Sequence, residues 1–261
     1  VMTKSQILPA SSTTIFGFDQ FNDSVSNIFC SMDCRLRDRE LAKNFVGELD
    51  TTRLNQINLA RVGGQPLDAY RRKHNISQLH EAVYLVKFQL IGQGLIKQRG
   101  REAHLQPGDF VVCSTAEPYE LQFMEDYRQA VLAVPQALLK EMFYSPDDYL
   151  GIRMGKELPT NSLLSQFVIS MVEHIDVLES SIVQRLEANV LDLLITALHS
   201  VAGAPAKEVE STAAAHLRRL KRFITMHLQD RRLSVEFIAE SEGISKRYLH
   251  LLFKQADMSV S

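Results

Sequence analysis

The feature that most restricts this chain is a single change of hydrophobic period. Before Val134 apolar residues recur at every second position, and after Pro135 they recur every three to four. The first spacing fits extended strands with two faces and the second fits helices, so a strand-rich half must precede a helix-rich half. Pro135 stands at the break, where its fixed φ suits the first turn of a helix.

Upstream of the break the sequence predicts short strands over 56–62, 82–91, 95–97, 109–113, 119–123 and 127–134. They are punctuated by Gly63-Gly64, Gly92-Gln93-Gly94, Gly100, Pro107-Gly108 and Glu117-Pro118. Glycine and proline supply the positive or fixed φ that tight connections need. Short strands at this spacing predict a small antiparallel sandwich or barrel. In the longest, Ala82, Tyr84, Val86, Phe88 and Leu90 alternate with a set containing Lys87 and Gln89, so one face of that strand is expected to line the interior.

Downstream, helices are expected over 161–178 and 181–201. The first carries Leu164, Phe167, Val168, Met171 and Ile175; the second carries Leu186, Val190, Leu193, Leu194, Ala197 and Leu198. So few residues separate them that they form an antiparallel pair, which packs within the chain or against a second copy of it. Residues 203–212, with Pro205 among small and charged residues, read as a linker between a domain over 1–202 and a smaller one over 213–261.

The net charge of -2 hides an asymmetry. Residues 211–261 hold nine Lys/Arg against five Asp/Glu, whereas residues 1–210 hold 20 against 26. A basic module on an acidic body suits phosphate binding, because attraction to DNA acts over about one Debye length. The spacing within the basic module fits a helix-turn-helix. Ser234 is placed to cap a helix with Leu233, Phe237 and Ile238 as its apolar contacts, and Ala239 is small where a second helix crosses. Gly243 falls where the turn needs positive φ, and Ile244 fills the space between the helices. Ser245 then caps a second helix whose Leu249, Leu252 and Phe253 face the core. Ser245, Lys246, Arg247, His250 and Lys254 remain for DNA. An ordinary helical hairpin with a basic surface has the same spacing.

The run LSVEFIAESEGISKRYLHLLFKQADMSVS resembles the first helix-turn-helix of the AraC/XylS family of transcription regulators, and the strands followed by two helices resemble the effector-binding half of XylS-like members. The resemblance implies an α+β fold: a cupin-like antiparallel β-barrel or sandwich with a helical pair, then an all-α helix-turn-helix segment. Family DNA-binding domains usually hold two such units, whereas this chain reaches Ser261 after the first, and Leu251 stands where members often carry a polar residue. The implied protein is a cytoplasmic homodimer, probing promoter DNA with a partial reader and activating a catabolic operon through RNA polymerase. Its effector is a small molecule such as an aromatic acid. Arg61, His80, Tyr84, Phe88 and His104 are candidate effector contacts, offering stacking and ion pairing to such a ligand.

Other classes fit less well. A ligand-binding dimerisation protein without strong DNA binding is one alternative, and a cupin-type metal enzyme is another. For the enzyme the spacing is wrong: His74, His80 and His104 are isolated, there is no His-x-His pair, and Cys30-x-x-x-Cys34 lacks a second ligand pair. No Gly-x-Ser-x-Gly or phosphate loop occurs. The reading therefore predicts no catalytic residue, metal or cofactor. An odd set of cysteines, Cys30, Cys34 and Cys113, fits reduced core thiols. No apolar run reaches the roughly 18 residues of a membrane span, and no signal peptide is expected at Val1-Met2-Thr3-Lys4.

Overall fold

A computed structural model describes residues 14–77, 81–174, 180–201, 220–221, 223–224, 227, 230, 233–241, 246, 249–250 and 253. The chain divides into two compact units, Val1–Val201 and Ala202–Ser261.

The first unit is an antiparallel sandwich. Its strands are β1 (Thr14–Phe16), β2 (Asp33–Leu36), β3 (Val46–Arg53), β4 (Asn58–Gly64), β5 (Leu67–Arg71), β6 (Val83–Ile91), β7 (Gly94–Gln98), β8 (Arg101–Leu105), β9 (Phe110–Ser114), β10 (Tyr119–Phe123), β11 (Tyr127–Pro135) and β12 (Arg153–Met154). Seven of them form one sheet in the order β1-β3-β4-β11-β6-β9-β12; the other five form a second sheet in the order β2-β5-β10-β7-β8. Helix α1 (Phe18–Ile28) and the short α2 (Lys73–Ile76) interrupt the strands. After β11 come α3 (Gln136–Met142), α4 (Pro159–His174) and α5 (Ser180–Val201), so the change of period at Val134 coincides with the passage from sheet to helix.

The larger sheet is covered on both sides, which the strand pattern alone did not reveal. Tyr84, Val86 and Phe88 are fully buried, but they join Phe110, Val112 and Leu132 in a core shared with Leu164, Val168, Val190 and Leu194 of α4 and α5. The space between the two sheets is filled from the opposite face, by Leu85, Val111, Cys113, Val131 and Ala133 against Leu67, Ala69, Ile96, Leu121 and Phe123. Lys87 and Gln89 therefore lie on the face that looks into the sandwich, and the apolar Tyr84-Val86-Phe88 set expected there faces the helices instead. A sheet buried on both faces gives an almost continuous apolar run, from which alternation cannot say which side is the interior.

Gly63-Gly64 also differs from expectation. The pair closes β4 rather than making a turn, and a Cβ on Gly63 would lie 2.8 Å from the Tyr127 carbonyl oxygen, so only glycine allows β11 this close.

The helices are tied to the strands by polar contacts. Glu187 of α5 is 1% exposed and its Oε2 accepts the backbone N–H groups of Gln56 (2.7 Å) and Ile57 (3.2 Å) in the β3–β4 turn. At the other end, the fully buried Asp109 carboxylate accepts from Arg153 Nε (2.7 Å) and NH2 (3.2 Å), and from the backbone N–H groups of Gln106 (3.0 Å) and Lys156 (3.1 Å).

In the second unit α6 (Val235–Ser241) begins at Ser234, whose Oγ accepts the Phe237 N–H at 3.1 Å. Leu220, Ile238, Ala239, Leu249 and Phe253 make its core, with Phe223, Ile224, Leu233 and Val235 around it.

Candidate functional site

Two groups of residues are candidates for function, one in each unit. In the second, Leu249 and Phe253 are buried while Lys246 and His250 are exposed. Residues 246 and 250, and 249 and 253, are four apart, so on a helix each pair shares a side, and the exposed pair is polar. Lys246 donates to Glu236 of α6. That hydrogen bond first, then a backbone hydrogen bond and the charge of Lys246, lower the Glu236 pKa. Ser245, Arg247 and Lys254 lie outside the described residues.

The candidate effector contacts do not converge. Tyr84 is buried on the helix-facing side of the larger sheet, and its hydroxyl donates to Asp147 Oδ1 at 2.5 Å. Burial first, and then the Asp147 hydrogen bond and charge, raise its phenol pKa. Phe88 is 0% exposed and packs on Phe110 with ring centroids 4.9 Å apart. Arg61 donates to Asp50 Oδ2 through Nε (2.9 Å) and NH2 (2.5 Å), on β4, two strands from β6. His104 is exposed on β8, an edge strand of the smaller sheet, 3.9 Å from Glu102. His80 lies outside the described residues. Tyr84→Phe is expected to cost about 1–2 kcal/mol in urea unfolding, because one hydrogen bond to a charged acceptor is lost while Lys140 still pairs with Asp147 at 3.2 Å. A cost near zero would mean that water replaces the hydroxyl.

The residues that sequence reasoning passed over lie between the sheets. Lys87 is 4% exposed, its Nζ 5.9 Å from the centre of the Phe29 ring. Burial lowers its pKa. Arg71 is 2% exposed; it donates from Nε to the Thr115 carbonyl and from NH1 to the Ser31 carbonyl, each at 2.7 Å, and its NH2 is buried without a partner. The Tyr119 hydroxyl lies 3.3 Å from Cys30 Sγ and 3.4 Å from Met32 Sδ. Burial pushes the Cys34 and Cys113 thiols up to about 12, so both are protonated and weakly nucleophilic at neutral pH. Among the described residues no group of three or more His, Cys, Asp or Glu is placed to hold a metal ion. The signal for this site was present in the sequence: a lysine in the middle of the apolar run YLVKFQL has to be buried or has to turn the strand outward.

Known proteins place this architecture. The AraC-binding-like domain model matches residues 21–199, from α1 to α5. The chain belongs to the AraC-binding-like family. An uncharacterised protein in the nit 5' region of Bacillus sp. (strain OxB-1) is 30% identical over 238 residues, covering 89% of this chain and 91% of that protein. The transcriptional activator NphR of Rhodococcus sp is 21% identical over 237 residues, 90% of this chain and 70% of NphR. The crystal structure of the AraC-like transcriptional activator CuxR shares the fold, with a TM-score of 0.64 at 19% identity over 96% of this chain and 91% of that one. The AraC-binding-like match contains Lys87 and Arg71 and stops short of Lys246 and His250.

Proposed function

We propose that this AraC-binding-like chain is an effector-responsive DNA-binding transcription regulator, an activator of a catabolic operon acting as a homodimer in the cytoplasm. The observation that carries the reading is the coupling, within one chain, of a sensor-family sandwich over 21–199 to a second unit that exposes Lys246 and His250 beside a buried Leu249–Phe253 core. The described Ser234 cap and the basic charge of 211–261 support a helix-turn-helix there, with Ser245, Lys246, Arg247, His250 and Lys254 facing promoter DNA. The names of NphR and CuxR as transcriptional activators point the same way. Leu163 on α4 and Ile182 on α5, 59% and 43% exposed, are apolar positions left open on the two helices and support contact with a second copy. As an activator it engages RNA polymerase. No metal or catalytic step enters this reading, and among the described residues no helix is long and apolar enough to cross a membrane.

An effector shifts this regulator only if it binds one arrangement of the helices better than another, so its affinity must differ with and without operator DNA. The test is binding of the chain to its own promoter, titrated against salt and nonspecific competitor. Specific binding should fall steeply with salt, and Arg247→Ala or His250→Ala should weaken it by about 1–3 kcal/mol, roughly tenfold to a hundredfold. Binding that ignores both substitutions, or no specific binding, overturns the reading; effector binding and dimers without DNA binding would favour a dimerisation protein.

A further inference from the structure

The cations of the first unit are not spread evenly over it. Residues 1–210 hold 20 Lys/Arg against 26 Asp/Glu, yet 33–37 and 67–77, which form β2, β5 and α2, hold Arg35, Arg37, Arg71, Arg72 and Lys73 against Asp33 and Asp68 alone. Arg71 is buried, and the other four cations are exposed. Tyr70 and Asp68 alternate along β5 with the buried Leu67, Ala69 and Arg71, so they lie on the outer face of the smaller sheet, beside the edge strand β2. The surroundings do not cancel this charge: residues 38–43 add two of each sign, and Glu120, the β10 neighbour of Tyr70, stands across from Lys97 of β7.

The Tyr70 ring gathers the cations. The Arg35 guanidinium lies 6.0 Å from its centre and that of Arg72 5.2 Å. Stacking occupies the flat face of a guanidinium and leaves its in-plane N–H groups free for acceptors. The two carboxylates are already shared out. Asp33 meets Arg72 (3.5 Å), His74 (3.3 Å) and Asn75 (3.2 Å), and Asp68 meets Arg37 at 2.5 Å. Among the described residues Arg35 and Lys73 have neither a hydrogen bond nor an ion pair through their side chains.

We propose that this outer face of the first unit binds the sugar–phosphate backbone of DNA, with Arg35, Arg72 and Lys73 as its contacts and Tyr70 holding the two guanidiniums in place. It is a phosphate surface additional to Lys246 and His250, on a unit whose net charge alone argues against one. Phosphate contacts read no bases, so this face adds affinity without choosing the site. That the polyanion is DNA rests on the regulator reading.

The test uses the whole chain, with fluorescence anisotropy on two labelled duplexes, its own promoter and a scrambled sequence, titrated with salt. Arg35→Ala/Arg72→Ala should weaken binding to both duplexes by the same factor, roughly tenfold, and make the dependence of log affinity on log salt shallower by about two, one for each phosphate contact. Arg35→Lys/Arg72→Lys keeps the charge and should keep the salt dependence. Unchanged affinity and salt dependence in the alanine variant overturn the proposal, and the arginines then only guard the edge strand β2 against pairing. A loss confined to the promoter duplex, or a lysine variant as weak as the alanine one, overturns it too. The preference for promoter over scrambled duplex is scored separately. A parent with that preference and an alanine variant of equal affinity lose this surface and keep the regulator reading; a parent without it whose alanine variant binds both more weakly keeps the surface and loses the reading.

Discussion

Glu187→Leu should lower the stability of the first unit by about 2–3 kcal/mol, the range expected when buried backbone donors lose a charged acceptor. The leucine fills the same space but strands the N–H groups of Gln56 and Ile57, and Ile57 is 0% exposed, so water does not replace the carboxylate there. Asn55 sharpens the effect: it holds φ at 105°, a strained value for a residue with a side chain, and its Nδ2 also points to Glu187 Oε1 at 3.4 Å. Urea unfolding followed by circular dichroism reads the loss directly. A change below about 1 kcal/mol would mean that the turn stands without α5. Glu187→Gln keeps one acceptor oxygen and should recover part of the stability.

Asp109→Ala is expected to cost about 3–5 kcal/mol, because it leaves the Gln106 and Lys156 N–H groups without their acceptor and Arg153 with Glu157 alone. The same carboxylate makes stability depend on pH. Burial by itself would raise its pKa, but the Arg153 hydrogen bonds, the two backbone N–H groups and the Arg153 charge outweigh burial and hold it below the ordinary aspartate value. A group whose pKa is depressed by folding contributes its stabilisation above the unfolded value of about 3.9, and loses it as pH falls through the lower folded pKa. Wild-type stability should therefore drop on acidification below about pH 4. In Asp109→Ala that part of the drop disappears, and equal acid sensitivity in the two proteins would place the titrating group elsewhere.

Much of the strand framework was legible because its residues alternate and its turns carry glycine. The strand expected over 119–123 coincides with β10, and those over 82–91, 95–97 and 109–113 match β6, β7 and β9 to within one residue at each end. The two long helices begin within two residues of the expected 161 and 181, α4 at Pro159 and α5 at Ser180, and α5 ends at Val201 as expected; the expected end of the first at 178 lies outside the described residues. β8 escaped because only Ala103 and Leu105 of Arg101–Leu105 are buried, the pattern of a polar edge strand. β3 escaped because Glu48 and Asp50 interrupt it, each satisfied by an arginine of the same sheet, Glu48 by Arg128 of β11 and Asp50 by Arg61 of the adjacent β4. The side of the sheet that the candidate effector residues face was not legible, for one physical reason. Aromatic side chains announce burial and say nothing about which of two dry faces they serve, so Tyr84 and Phe88 drew attention to the helix side. Lys87 carried the opposite signal, a charge where only a compensated charge is stable.

The two-faced sheet has an evolutionary consequence. Along β6 the odd positions Leu85, Lys87 and Gln89 belong to the sandwich interior and the even positions Tyr84, Val86 and Phe88 to the helix contact. Descendants of this gene can therefore drift at one set without disturbing the other, acquiring new chemical tastes while keeping the helix packing, or the reverse. Deletion or insertion of a single codon within the strand is a different matter, since it exchanges the two sets at a stroke and drives a lysine into the helix seam. Lineages of this chain should tolerate volume-conserving substitutions at either set of β6 far better than length changes there.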